Sequence, residues 1–252
     1  LLNRLLKQSL KCLWKKQVFK QLIMKILCVS DQIDPLVYSN SVKERFSDID
    51  CVLCAGDLPL EYIEFIVSSL NVPTYFVFGN HNLNEFHHYH KVAIDSAGVY
   101  GYSSDYYGPG AVYVGFKTIS IPTANKKNPL LLAGISGSIR YNKGLAQYTN
   151  FEMNLKLFKL IPKLIFNKIR YGRYLDIFLT HSPPRHIHDK EDPCHKGFTG
   201  FRWFLEKFKP RYMLHGHIHL YDLQTSRSTN YCDTQIINVF SHYVLEIPEG
   251  TF

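Results

Sequence analysis

The chain has 252 residues, 46% of them hydrophobic and 20% charged. That balance fits one large folded domain with a sizeable core and excludes a disordered or fibrous chain. The formal net charge is +8, but Arg4, Lys7, Lys11, Lys15, Lys16 and Lys20 lie within residues 1–23 with no acid beside them, leaving 23 basic against 21 acidic residues elsewhere. The basic character therefore belongs to the tail and gives little support to a nucleic-acid-binding domain, and no apolar run reaches the ~18 residues of a membrane span.

In that tail, Leu2, Leu6, Leu10, Leu13 and Trp14 alternate with the cations at roughly helical spacing. Three readings stay open for this basic amphipathic N-terminal extension, residues 1–23. It is a helix touching an anionic membrane surface or a partner, an extra helix packed on the domain, or an extraneous, loosely attached segment. The last is favoured because Met24 opens directly onto the first strand as MKILCVSD. Lysines scattered through the apolar positions argue against a signal peptide. The main domain is read as residues 24–252.

Within it, apolar and β-branched or aromatic runs mark strands at KILCVS, CVLC, TYFVF, DIFL and RYMLH. Residues 58–71 read as a helix stopped before Pro73. Residues 110–121 and 130–136 read as two strands. Residues 151–171 mix Leu, Ile, Phe and Lys around Pro162 and read as two short helices or one kinked helix. TGFRWFLEKFKP reads as an amphipathic helix ending before Pro210, and IINVFSHYVLEI as closing strands of a second sheet.

Cys12, Cys28, Cys51, Cys54, Cys194 and Cys232 show no disulfide-framework spacing, which argues for a reducing, cytoplasmic compartment. Cys51 and Cys54 sit at i and i+3 of a strand and so face opposite sides. With Cys28 they read as buried core thiols rather than as ligands of a shared metal.

Five strand ends carry a metal-ligand residue type. KILCVSD ends at Asp31 and CVLCAGD at Asp57; TYFVFGNHN carries Asn80 and His81, YLDIFLTHSPP carries His181, and PRYMLHGHIH carries His217 and His219. Ligands of open α/β sheets sit outside the carboxyl ends of the strands. One sheet edge would then collect two carboxylates, one amide and four imidazoles, an inventory that suits Mn, Fe, Zn or Co.

The order of these motifs resembles the calcineurin-like metallophosphoesterase superfamily, whose pattern is Asp-x-His, Gly-Asp, Gly-Asn-His followed by an acid, a lone His, and Gly-His-x-His. Here these read Asp31-Gln32-Ile33, Gly56-Asp57, Gly79-Asn80-His81-Asn82, His181 and Gly216-His217-Ile218-His219. The chain departs at two places. Ile33 stands where the family has a histidine, with Asp34 next to it as a substitute oxygen ligand. Asn82 stands where the family has an acid that would orient His81.

The resemblance implies an α/β fold of two packed mixed sheets flanked by helices, holding two divalent transition-metal ions. By that resemblance Asp57 bridges the ions, Asp31 and His219 hold the first, with Asp34 as an optional further ligand, and Asn80, His181 and His217 hold the second. His81 then serves as the catalytic residue that protonates the leaving group or stabilises charge on phosphorus. The implied activity is hydrolysis of phosphomonoester or phosphodiester bonds in a small phosphorylated substrate by a metal-activated hydroxide. A catalytically weak scaffold of the same fold and a nuclease of the same chemistry remain alternatives.

Other candidates lie in loops. Arg140, with Tyr141 and Tyr148 in a Gly-containing segment, is either a phosphate clamp or a surface arginine. His87, His88 and His90 follow the third motif and read as solvated or packed. The segment 185–198 begins at the His181 turn and carries His186, His188, Asp189, Asp192 and His195. It should overhang the site, with His195 and Asp192 as substrate contacts or else as residues satisfying the loop's own backbone.

Overall fold

The computed structural model describes residues 23–89, 108–123, 128–222 and 225–248. The N-terminal extension before Ile23, with Cys12, and His90 lie outside these residues. In chain order the elements begin with β1 (Ile23–Ser30), α1 (Val42–Arg45), β2 (Cys51–Cys54), α2 (Leu60–Leu70), β3 (Thr74–Phe76) and α3 (Phe86–Tyr89). Next come β4 (Val112–Tyr113), β5 (Lys117–Ile121), β6 (Leu130–Ile135), β7 (Ser138–Ile139), β8 (Gln147–Tyr148) and α4 (Asn150–Tyr171). The chain closes with β9 (Ile177–Thr180), α5 (Thr199–Phe208), β10 (Tyr212–His215), β11 (Ser228–Tyr231), β12 (Thr234–Asn238) and β13 (Ser241–Pro248).

Two large mixed sheets form, ordered β13-β1-β2-β3-β4 and β11-β12-β10-β9-β6-β5. β1 to β4 run parallel, and so do β6, β9, β10 and β12, while β13 and β5 are antiparallel to their neighbours. Parallel strands put their carboxyl ends on one edge, so the five ligand-bearing turns gather there.

Alternation along each strand builds three layers. Ile26, Cys28, Cys51 and Leu53 of one sheet meet Leu132, Ile177, Leu179 and Leu214 of the other between the sheets. Leu27, Val52 and Cys54 turn outward onto Tyr62, Ile63 and Ile66 of α2. Leu131, Phe178 and Met213 turn outward onto Leu157 and Leu164 of α4 and Phe201 and Phe204 of α5. Cys51 and Cys54 therefore do lie on opposite faces, and both are fully buried. Among the described residues no helix is long and apolar enough to cross a membrane.

Three sequence expectations are corrected. Residues 110–121 are not one strand: the chain leaves the first sheet after β4, turns at Gly115 and Phe116 (φ +60°), and joins the second sheet as β5. Any side chain at position 115 would collide with Tyr113 and the Ser136 hydroxyl. Residues 150–171 form a single helix despite Pro162, because that proline lies on the exposed face, where water can take the carbonyl its missing N–H leaves unpaired. A Thr149–Glu152 capping box starts this helix and left-handed Gly172 ends it. Finally, the C-terminal strands do not share a sheet. β12 belongs to the second, while β13 crosses back to pair with β1 along its whole length.

Candidate metal centre

Each candidate ligand sits one to four residues past a strand, in a turn that aims its side chain back over the sheet edge. Asp31, Asp57 and His217 all adopt left-handed backbone conformations (φ +68°, +55° and +68°). Non-glycine residues pay for that conformation, and such strain gathers at functional sites. The turns are bolted together by backbone bonds. Asp31 N–H donates to the Gly56 carbonyl at 3.1 Å and Gly216 N–H to the His181 carbonyl at 3.0 Å. The His217 N–H donates to Asp31 Oδ1 at 2.8 Å and the His81 N–H to Asp57 Oδ1 at 2.7 Å. Gly56 is required here, since at its φ of +98° a Cβ would lie 2.6 Å from both the Gly79 nitrogen and His181 Nδ1.

Four donor atoms converge on one point. His181 Nε2 lies 3.1 Å from His217 Nδ1, 3.2 Å from Asn80 Oδ1 and 3.3 Å from Asp57 Oδ2. Asp57, Asn80, His181 and His217 are all buried. Both rings have fixed tautomers. His181 Nδ1 lies 2.8 Å from the Ala55 carbonyl and His217 Nε2 2.7 Å from the Cys194 carbonyl. A carbonyl only accepts, so those nitrogens carry the hydrogens, and the facing Nε2 and Nδ1 are left as lone-pair donors. Asn80 is oriented in turn by its Nδ2–H, which donates to the Tyr141 hydroxyl at 3.2 Å.

The electrostatics call for a cation at that point. Burial alone would lower the His181 pKa, but the Asp57 charge beside it, with Asp31, drives it up to about 9. Burial next to that cationic ring pushes His217 down to about 3. Burial also works against ionising Asp57, yet His181 holds its carboxyl well below the usual range. Two imidazole lone pairs, a carboxylate and an amide oxygen, preset by their outer partners, fit a divalent transition metal. A proton on His181 serves in its place when the ligands are alone.

A second group of donors adjoins the first. His219 Nε2 lies 4.0 Å from Asp31 Oδ1. The His219 ring is braced by the Tyr221 hydroxyl at 2.7 Å and by Phe240, with ring centroids 4.9 Å apart. Asp31 Oδ2 accepts from the Ser30 hydroxyl at 2.6 Å, and burial pushes the Asp31 carboxyl above its ordinary range.

The calcineurin-like phosphoesterase family model matches residues 24–221, a span that contains every one of these strand ends. The chain belongs to the calcineurin-like phosphoesterases. Members of the family are phosphoester hydrolases that generally use divalent metals, and the buried Asp57, His181 and His217 are candidate ligands for such a metal. Solved structures share the fold. One crystal structure is 14% identical with a TM-score of 0.58, the match covering 89% of this chain and 95% of the other. The TT1561 protein of Thermus thermophilus is 14% identical with a TM-score of 0.54, covering 87% and 90%. No curated protein matches the chain in sequence.

In this calcineurin-like phosphoesterase several predicted residues stand apart from the centre. Ile33 is 47% exposed. Asp34 does not turn toward Asp31's partners. Its Oδ1 accepts from the Leu36 N–H at 2.8 Å, and its Oδ2 takes the Ser241 hydroxyl and His242 Nδ1, the latter at 2.6 Å. Arg140 is committed to Glu152, with 2.9 and 2.8 Å to the two carboxylate oxygens, and to the Gln147 carbonyl. All three bonds run through Nη2, and through them Arg140 braces the α4 cap. Asn82 donates to the Asp57 carbonyl at 3.0 Å, a bond an acid could not make. His81 is exposed beside the ligands, which leaves its ring open to a substrate.

The 185–198 loop does overhang the centre. Its Cys194 carbonyl holds His217, and the His195 ring lies 5.3 Å from the His217 ring while bonding Asp192 at 2.7 Å. The buried His215 escaped the sequence reading. It bonds His188 Nδ1 at 2.9 Å, and His188 reaches Thr229 at 2.8 Å, which fastens this loop to β10 and β11. Only the run of alternating histidines after the strand hinted at it, and the strand face that His215 takes was not legible there.

Proposed function

We propose that the chain hydrolyses phosphomonoester or phosphodiester bonds of a small phosphorylated molecule with two divalent metal ions. The observation that carries this reading is the convergence of Asp57 Oδ2, Asn80 Oδ1 and His217 Nδ1 within 3.3 Å of His181 Nε2. Asn80, His181 and His217 would hold one ion, Asp31 and His219 the other, and Asp57 both. When bound, such ions polarise phosphoryl oxygens and lower the pKa of water.

The protein's own contributions follow from its geometry. The Ala55 and Cys194 carbonyls keep the two imidazoles in their ligating tautomers, so no reorganisation is needed on loading. The Tyr141 hydroxyl keeps the Asn80 carbonyl oxygen aimed at the centre. His81, tethered through its N–H to Asp57 but with an exposed ring, delivers a proton to the departing oxygen. His195, oriented by Asp192, contacts the substrate from the overhanging loop.

A second reading has its own observation. Ile33 cannot ligate, and Asp34 is engaged by Ser241 and His242, so the Asp31–His219 side offers few donors. That favours a catalytically weak scaffold.

The experiment that separates the two strips the protein with a chelator, restores Mn2+, Zn2+ or Co2+, and assays p-nitrophenyl phosphate and bis-p-nitrophenyl phosphate. Metal-restored turnover of either ester supports the hydrolase. Tight metal binding without turnover of either supports the scaffold.

A further inference from the structure

Helix α4 carries two apolar faces. Met153, Leu157, Leu160 and Leu164 are buried against the second sheet. On the opposite side Phe151, Leu155, Phe158, Ile165, Phe166 and Ile169 are all exposed, from 46% at Leu155 to 82% at Ile169. Their spacing keeps them, with exposed Pro162, on one stripe of a 3.6-residue helix, and at 1.5 Å per residue the stripe runs about 27 Å. Trp203 of α5 extends it sideways, edge-on to Phe158 at 5.4 Å between centroids. An exposed apolar strip of this length on a folded domain marks an interaction surface.

The charges flanking the strip select the partner. Lys159, Lys163, Lys168 and Arg170 are all exposed on this helix. Helical spacing sets Lys159, Lys163 and Arg170 along one border of the stripe and Lys168 along the other. Lys163 Nζ sits 4.7 Å from the Phe166 ring. The single acid of the helix, Glu152, is held by Arg140 and Thr149. A protein partner would be met by a polar rim around a packed core, or, for a basic border, by an acidic patch. An apolar face bordered by cations, with an indole at its margin, is instead the pattern of a helix lying in a lipid interface.

We propose that the outer face of α4, with Trp203, docks the protein on a membrane surface bearing anionic headgroups. Phe151, Leu155, Phe158, Ile165, Phe166 and Ile169 enter the acyl boundary, and Lys159, Lys163 and Arg170 meet the headgroups. This inference is independent of the catalytic reading.

The test is flotation of the full chain with vesicles of phosphatidylcholine alone and of phosphatidylcholine mixed with phosphatidylserine. Binding is expected on the mixed vesicles only and should weaken at high salt. Ile165→Ser/Ile169→Ser and, separately, Lys159→Glu/Lys163→Glu should each reduce it by about tenfold or more. These four side chains are exposed, and unchanged thermal unfolding would confirm that the variants fold.

Failure of the unaltered chain to bind either vesicle overturns the proposal. Undiminished binding by both variants also overturns it and moves the contact to another segment, such as the basic residues 1–22. A solution dimer that Ile165→Ser/Ile169→Ser dissociates, without vesicle binding, assigns the stripe to a second copy of the chain and overturns it as well.

Discussion

His181 and His217 face each other through Nε2 and Nδ1 at 3.1 Å, each with its other ring nitrogen bonded to a backbone carbonyl. The pair can be at rest only with a cation between the lone pairs, whether a proton or a metal ion. Burial alone would lower the His181 pKa, but the adjacent Asp57 charge raises it, which favours a proton there in the metal-free protein. Adding Mn2+ to chelator-stripped protein in weak buffer should release about one proton per first ion bound. Metal uptake with no proton release would place the first ion elsewhere.

Ligand removal should be unequal. Asp57→Asn is expected to lose both ions, since Asp57 is the proposed bridge, whereas Asn80→Ala should lose mainly one. Metal analysis of the purified variants checks this. Two ions retained in Asp57→Asn would remove it from the bridging role. In the same experiment Ile33→His should tighten the weaker ion, the one on Asp31 and His219.

His81→Ala should keep near-normal metal content and lower kcat by about 10²–10⁴-fold, the usual worth of a general acid. The loss should be greatest for alkyl phosphates and small for p-nitrophenyl phosphate, whose leaving group departs without a proton. An equal loss for both esters would point to stabilisation of phosphoryl charge instead.

Asp34 gives a pH-dependent stability prediction. Burial raises its pKa, but the hydrogen bonds from Ser241 and His242 outweigh that and leave it below the ordinary 3.8. A depressed carboxyl stabilises the fold above its unfolded pKa and loses that contribution as pH falls through the folded one. Asp34→Asn should therefore cost about 1–3 kcal/mol near neutral pH. The difference should fade as pH drops below 3.8, and metal content should be unchanged. Chemical denaturation across pH, with metal analysis alongside, measures both. Loss of an ion in Asp34→Asn would return Asp34 to the ligand set.

Much of the placement of the candidate site is legible in the sequence. The strand runs and the turn residues after them placed Asp31, Asp57, Asn80, His181, His217 and His219 at carboxyl ends, because strand period and turn chemistry are local properties. The motif order pointed to the family that the match over residues 24–221 then showed. The two apolar faces of α4 were also in the sequence, but Pro162 suggested a break that its exposed position does not require.

What the sequence determined by itself was which residue types end which strands, and hence the metal-ligand chemistry available at one edge. The tertiary structure alone decided how they are used. The carbonyl that fixes the His181 tautomer belongs to Ala55, 126 residues away, and the groups that claim Asp34 lie 207 and 208 residues along the chain. Arg140 reads from sequence as a phosphate clamp or a surface arginine, and only the structure shows its Glu152 partner; the crossing at Gly115 is packed against Tyr113 and Ser136 of the loop after β6. Residue identity and spacing act over a few positions. Hydrogen-bond partners are chosen by which strands and turns become neighbours, within a sheet for Asp34 and between the sheets for His181, and that is settled only in the folded chain.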